Sequence, residues 1–367
     1  MPKNVVVCCD GTANEFASDA TNVLKLYSAL VHDEGRQVVS YHPGVGTMEA
    51  TGALSNVARN LTKLLGLAIG YGLERDILDA YAFLMRHYEA GDHLYLFGFS
   101  RGAYTVRAVA SLLHMYGLMR SGHEPMIAYV IRMAARRRFE GGNGPSFLDQ
   151  AERFKATFAD RECPPHFVGV WDTVSSVGWI GNPLHFPYTA NNPSIRTVRH
   201  AVALDERRAF FRTNLWRPDP PPAGDQQTDL RQVWFPGVHC DVGGGYPEAE
   251  SGLSKFALEW MASEAHAKGL LLNRARLEQL LGRSDASFAP PDPNAPMHES
   301  LTWKWWLAEF LPKRRPDGRL RVRSFRRREP PPDALVHEVA WLRSTYVRPP
   351  KARAVTTDLI NWPAFPD

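Results

Sequence analysis

Long apolar runs are missing from this chain, cysteines are few, and neither sign of charge is in large excess. No stretch approaches the roughly 18 consecutive apolar residues of a membrane-spanning helix, and the N-terminal run MPKNVVVCCDGT is too short for a signal peptide. The 43 basic and 39 acidic side chains give a net charge of only +4 over 367 residues. We therefore expect a cytoplasmic protein that does not bind nucleic acid.

The cysteines are Cys8, Cys9, Cys163 and Cys240, and none forms a CxxC pair or a His/Cys cluster with zinc-ligand spacing. This argues against a disulfide framework and a structural zinc, and we expect neither a metal nor a cofactor. Cys8 and Cys9 are adjacent in a strand-like run, so their side chains should enter the core on opposite faces of a sheet.

Short apolar runs alternate with helical patterns along the chain. Residues 4–10 are typical of a strand that is buried on both faces, and residues 71–90 repeat apolar side chains at the spacing of an amphipathic helix. Further strands are expected at 37–46, 93–99, 166–172, 197–205 and 232–238, and further helices at 103–116 and 252–268. This alternation predicts an α/β fold with a mostly parallel central sheet and helices on both faces.

The sequence predicts one main domain. We assign residues 1–285 to a catalytic domain with a helical insertion at 121–161. Proline and charge increase beyond about residue 285, so we expect 286–367 to be a Pro/Arg-rich segment that packs on the same domain.

The stretch HLYLFGFSRGAY places Ser100 between a predicted strand and a predicted helix, with Gly98 and Gly102 on either side. A turn that exposes a serine hydroxyl at this junction crowds the residues two before and two after it, and glycine removes the clash. The pattern predicts that Ser100 is a catalytic nucleophile. The alternative is a structural turn that contains a serine.

His239 is the candidate general base, because it follows the last core strand in the loop GVHCDVGGGY. The acid is ambiguous, since several aspartates also follow strands. Asp205 is our first choice because it follows the strand before that of the histidine; Asp172, Asp241 and Asp10 are alternatives. An aspartate in such a turn more often accepts backbone N–H groups than takes part in catalysis.

The oxyanion hole should combine the backbone N–H of Arg101 with one from the loop after the first strand, near Gly11 or Thr12. Asp10, Asp172 and Asp241 would be oxygen ligands for a metal if their turns converged, although nothing in their spacing demands one.

Five successive motifs resemble the α/β-hydrolase family of domain of unknown function 2235, which includes phospholipase effectors of bacterial type VI secretion systems. They are VVCCDGTANE, GFSRGAYTVRAVA, VGVWDTVSSVG, HAVALDERRAFFRTNLW and QVWFPGVHCDVGGGY, and the resemblance covers roughly residues 3 to 310. It implies a triad of Ser100, Asp205 and His239 and a bacterial, phospholipase-like enzyme. The membrane-targeting modules of the larger effectors have no counterpart here, so we expect little beyond the catalytic domain.

The function predicted from these residues is a serine hydrolase that cleaves carboxylic esters, such as lipid or phospholipid acyl esters, through an acyl-enzyme intermediate. The alternatives are a non-enzymatic binding module on a hydrolase scaffold and a peptidase or amidase that uses the same triad. Residues 300–316 cluster tryptophans before basic residues and suggest peripheral contact with a membrane, or else an aromatic flap that packs on the core. The oligomeric state is not predicted.

Overall fold

The structure is a computed structural model that describes residues 2–11, 20–44, 67–135, 146–174, 178–179, 182–183, 185–208, 211–217, 227–301, 313–314, 320–321, 327–344, 346 and 352–358. Its main strands are β1 (Asn4–Cys9), β2 (Gln37–His42), β3 (His93–Phe99), β6 (Pro165–Trp171), β9 (Thr197–Ala203), β10 (Asp229–Phe235), β13 (Leu335–His337) and β14 (Arg353–Val355). Two-residue or three-residue strands form small pairs: β4 (Leu118–Met119) with β5 (Ala159–Arg161), β7 (Gly178–Trp179) with β8 (Asn182–Pro183), and β11 (Lys313–Arg314) with β12 (Leu320–Arg321).

The helices of the described residues are α1 (Asn22–Ala29), α2 (Leu67–His87), α3 (Arg101–Tyr116), α4 (Pro125–Ala135), α5 (Phe147–Phe158), α6 (His239–Gly243), α7 (Gly252–His266), α8 (Arg274–Leu280) and α9 (Val339–Leu342). A 3₁₀ turn covers Glu248–Glu250. Among the residues described, no helix combines the length and the apolar character that crossing a membrane requires.

One sheet of eight strands organises the fold, in the order β14-β13-β10-β9-β6-β3-β1-β2. Every neighbouring pair within it is parallel. The carboxyl ends of all these strands therefore lie along the same edge, where function gathers in open α/β sheets. The predicted α/β-hydrolase-like fold class is confirmed.

Helices cover both faces of the sheet because the central strands are apolar on both sides. Val5, Val7 and Cys9 of β1 join the core under α2 and α3, whereas Val6 and Cys8 join the core under α1 and α7. The adjacent cysteines thus lie on opposite faces, as predicted from the strand period of two. All four cysteines are free thiols.

Two regions differ from the sequence-based expectation. Helix α1 was not predicted, although Thr21 caps it by accepting a hydrogen bond from the N–H of Leu24. The segment beyond residue 285 was expected to wrap the domain, and it also adds β13 and β14 to the edge of the sheet. Within the insertion, α4 and α5 pack against the core next to α3, and residues 136–145 lie outside the described residues.

Candidate active site

Ser100 lies at a sharp turn between β3 and α3, with a backbone φ of 56° and ψ of −116°. Few non-glycine residues adopt this region, and it persists only where the surroundings enforce it. A Cβ on Gly98 would lie 2.5 Å from the carbonyl oxygen of Gly102, and a Cβ on Gly102 would lie 2.1 Å from that of Cys9. Both glycines are therefore required for the steric reason that the sequence indicated.

The close approach at Gly102 also fixes which turn lies beside the serine. Because this glycine packs directly against the backbone of Cys9 and Asp10, the loop after β1 borders the start of α3. On the other side, the N–H of Ser100 donates to the carbonyl of Trp171 at 3.1 Å. Ser100 is thus held between the end of β1 and the end of β6.

Asp172 follows β6 and is completely buried, with a positive φ of 38°. Its N–H donates to the carbonyl of Ala201 at 2.7 Å, and its Oδ1 accepts from the N–H of Ala203 at 3.0 Å. These bonds aim the carboxylate along the strand ends towards β10. Ser100 and Asp172 are thus two strained, non-glycine positions on neighbouring strands.

His239 is the first residue of α6 and is 4% exposed. Its Nδ1 lies 2.6 Å from Oδ2 of Asp172. The ring packs against Phe99, which precedes the serine, with the ring centroids 4.6 Å apart, and against Phe211 at 4.8 Å. The predicted base therefore contacts the residue that precedes the predicted nucleophile, and its Nδ1 faces an aspartate.

The electrostatics favour a neutral imidazole facing an ionised carboxylate. Burial lowers the pKa of His239 below its ordinary value, although the charge of Asp172 partly opposes this. Burial opposes the charge of Asp172, but Arg328 and His239 outweigh it and hold the pKa of this carboxyl well below its usual range. A neutral histidine that is oriented by a carboxylate can accept a proton near neutral pH.

The first choice for the acid, Asp205, does not contact His239. Its Oδ2 accepts from the N–H of Gly237 at 2.8 Å and from the hydroxyl of Tyr346 at 2.7 Å. The side chain ties the turn after β9 to the turn after β10, which is the loop role that aspartates commonly fill. Asp172, considered as an alternative from the sequence, has the position that was expected for Asp205.

The other candidate aspartates also have separate partners. Asp241 bonds His298, with its Oδ1 2.6 Å from Nδ1, and Asp10 accepts from the hydroxyls of Thr21 at 2.6 Å and Tyr41 at 2.7 Å. The metal alternative built from Asp10, Asp172 and Asp241 therefore does not fit, because hydrogen-bond donors, among them the guanidinium of Arg328, occupy each of these carboxylates.

The predicted oxyanion hole combines the start of α3 with the loop after β1. Arg101 is the first residue of α3, and the first amides of a helix point out of its end. Gly11 donates its N–H to Oδ1 of Asp10 at 2.6 Å, so this amide has a partner within its own loop, and its place in the oxyanion hole stays a prediction. Thr12 lies outside the described residues.

Sequence reasoning missed two buried residues of the site. Arg328 contacts Asp172 from a segment that the sequence indicated only as an arginine-rich run. Glu206 accepts from the N–H of His239 at 3.3 Å and from the hydroxyl of Ser300 at 2.9 Å. The DERR motif placed Glu206 next to the expected acid, but nothing in it indicated these partners.

Comparison with known proteins agrees with the family resemblance. The chain is 38% identical over 230 residues to the uncharacterized protein YEL023C of Saccharomyces cerevisiae, a match that covers 59% of this chain and 33% of that protein. One similar solved structure is an uncharacterized protein from Pseudomonas aeruginosa, with a TM-score of 0.41 and 20% identity over 74% of this chain and 46% of that chain. Another is the Tle1 effector bound to the VgrG spike of the type 6 secretion system, with a TM-score of 0.37 and 19% identity over 69% of this chain and 52% of that chain. The chain thus spans about a third to a half of these proteins. The profile described as "T6SS, Phospholipase effector Tle1-like, catalytic domain" matches residues 3–264, and the chain belongs to that family.

Proposed function

We propose that this protein is a serine hydrolase that cleaves carboxylic esters, with Ser100 as nucleophile, His239 as general base and Asp172 as the orienting acid. The observation that carries the proposal is the 2.6 Å contact of Asp172 with Nδ1 of His239. The ring of His239 also packs on Phe99, the residue before a serine on a strained strand–helix turn. Asp172 takes the role first assigned to Asp205.

The reaction proceeds in two steps. Because Nδ1 of His239 faces Asp172, Nε2 is the nitrogen that takes the proton of Ser100 as Oγ attacks the ester carbonyl carbon. The same proton then passes to the leaving alkoxide as the C–O bond breaks, which leaves an acyl group on Ser100. Water then attacks this acyl-enzyme and gives a proton to His239. The bond between Oγ and the acyl carbon breaks, His239 returns the proton to Oγ, and the carboxylic acid is released.

We assign the N–H of Arg101 as one donor to the developing oxyanion. The N-terminus of α3 supports this role, because the aligned peptide dipoles of a helix favour negative charge at that end. The second donor would come from the loop after β1, where the N–H of Gly11 is already engaged by Asp10.

Phospholipid acyl esters are the proposed substrates. The family description supports a lipid substrate, and the rings of Phe99 and Phe211 support an apolar chain because they border His239 on two sides. The tryptophan-rich part of 300–316, which we predicted to contact membranes, lies largely outside the described residues and stays a prediction.

The decisive experiment compares wild type with Ser100→Ala on a panel of acyl esters and phospholipids and with a fluorophosphonate probe. We expect Ser100→Ala to lose the covalent label and to reduce kcat by about 10⁶-fold. Ser287→Ala, which removes an exposed serine, is the matched control and should keep both.

Two other outcomes of this experiment would replace the esterase proposal. A wild-type protein that turns over amides in preference to esters would replace the esterase proposal by a peptidase or amidase on the same triad. A folded protein that binds vesicles, leaves Ser100 unlabelled and hydrolyses no substrate would instead be a binding module.

A further inference from the structure

Arg328 reaches the candidate active site from a part of the chain beyond the residues that match the family. Its Nη1 donates to Oδ1 of Asp172 at 2.5 Å, and its Nη2 donates to Oδ2 at 3.1 Å. The side chains are 5% and 0% exposed. This is a buried, two-pronged contact with the same carboxylate that holds His239.

The guanidinium also binds the backbone around the site. Nη1 donates to the carbonyl of Ala203 at 3.0 Å, at the end of β9, and Nη2 donates to the carbonyl of Phe211 at 2.6 Å. The ring of Phe211 packs on His239. One side chain therefore holds both Asp172 and the backbone of the residue whose ring borders the histidine.

Arginine suits this position for a physical reason. A planar guanidinium matches both oxygens of a carboxylate at once, whereas a lysine ammonium bonds as a single point. The positive charge also matters, because a carboxylate buried next to a neutral imidazole would otherwise lack a compensating charge.

We propose that Arg328 is a positioning residue of the hydrolase, which keeps Asp172 ionised and oriented so that His239 stays in its catalytic tautomer. The inference rests on the proposed function, and it extends the catalytic unit past residue 264, where the family match ends. A hydrolase built only from the matching residues would lack this contact.

The test uses Arg328→Gln, which removes the charge, and Arg328→Lys, which keeps the charge without the two-pronged geometry. The control is Arg199→Lys, because Arg199 is also a buried arginine, 1% exposed, that pairs with Asp229 and Glu264 away from the strand carboxyl ends. All variants and the wild type are measured for kcat against pH, and the ring of His239 is titrated by NMR.

We expect Arg328→Gln to lower kcat on the order of 10²-fold and to raise the midpoint of the His239 titration by about one pH unit, because the carboxylate then acts on the imidazole without compensation. Arg328→Lys should lower kcat less and leave the midpoint near that of wild type. Arg199→Lys should reduce stability without moving the midpoint.

An Arg328→Gln protein with wild-type kcat and an unmoved titration would overturn the proposal. So would an equal shift in Arg199→Lys, since the effect would then follow from general destabilisation. If Arg328→Gln does not fold, unchanged kcat in Arg328→Lys decides against the positioning role. If the wild type hydrolyses no ester, the proposed function fails, but the NMR titration still tests the coupling of Arg328 to His239.

Discussion

Helix α6 contributes one residue to each of two histidine–aspartate pairs, His239 to the first and Asp241 to the second. The distance between ring nitrogen and carboxylate oxygen is the same in both. Nδ1 of His239 is 2.6 Å from Asp172, and Nδ1 of His298 is 2.6 Å from Asp241. The pKa of His239 is lowered, whereas that of His298 is raised. The pair distance alone therefore does not determine what a histidine can do.

The surroundings explain the difference. His239 is buried, and burial lowers its pKa by more than the charge of Asp172 raises it, with Arg208 acting in the same direction as burial, so the neutral imidazole is favoured. Burial also acts against the charge of His298, but Glu250 at 2.9 Å from Nε2 and Asp241 outweigh it. Both ring nitrogens of His298 face carboxylates, which favours its charged form, whereas in the described structure only Nδ1 of His239 faces one.

His298 ties residues after 290 to α6. Its N–H donates to Oδ2 of Asp241 at 3.2 Å, and its ring stacks on Tyr246 with the centroids 3.6 Å apart. The carboxylate of Asp241 also accepts from the N–H of Val238 at 3.0 Å. This second pair thus supports the turn that carries His239, without contact to Ser100 in the described structure.

The largest expected difference between the two pairs is the loss of kcat when the aspartate, Asp172 or Asp241, is replaced. Asp172→Asn should lower kcat by about 10⁴-fold, because the amide donates to Nδ1 and favours the wrong histidine tautomer. Asp241→Asn should keep kcat within about tenfold of wild type, since it alters a supporting pair. Steady-state hydrolysis of an activated ester measures both, and similar losses in the two variants would contradict the distinction.

The fold class and the positions of Ser100 and His239 at the ends of strands could be predicted from the sequence because their signals are local. Gly98, Ser100 and Gly102 encode the tight turn in five residues, and the apolar strands define the sheet edge where His239 emerges. Strand positions were also predicted to within a few residues, as for 197–205 against β9 (Thr197–Ala203).

The aspartate that contacts His239 could not be predicted, because its identity depends on residues far away in the chain. Asp172 and Asp205 both end buried strands, and no local pattern distinguishes them. Arg328 binds Asp172 although 156 residues separate them in the sequence, and Tyr346 binds Asp205 although 141 residues separate them. Strands β13 and β14 were missed for a related reason, since three residues are too few to show a period of two.

The second prediction concerns the pH dependence of the reaction. The base must be neutral to accept a proton, and burial places the pKa of His239 below the ordinary 6.5. The acid limb of kcat/KM should therefore have its midpoint below that value, with about a tenfold loss for each further pH unit. His298→Gln should leave the limb unchanged, and a midpoint at or above 6.5 in wild type would contradict the assignment.

The smallest effect should come from His298 itself, as a change of stability with pH. A histidine whose pKa is raised on folding contributes stability that is complete below the unfolded pKa, and that is lost as the pH rises through the folded value. His298→Gln should therefore lower the free energy of unfolding by about 1 kcal/mol more near pH 6 than near pH 9.

Urea unfolding at both pH values measures this difference. Glu250→Gln is the matched variant, because it removes one of the two carboxylates that raise the pKa of His298, and it should give a smaller change of the same sign. A penalty that grows with pH would mean that His298 is neutral in the folded protein. The two histidine–aspartate pairs would then be alike in charge, and charge could not explain a difference in their roles.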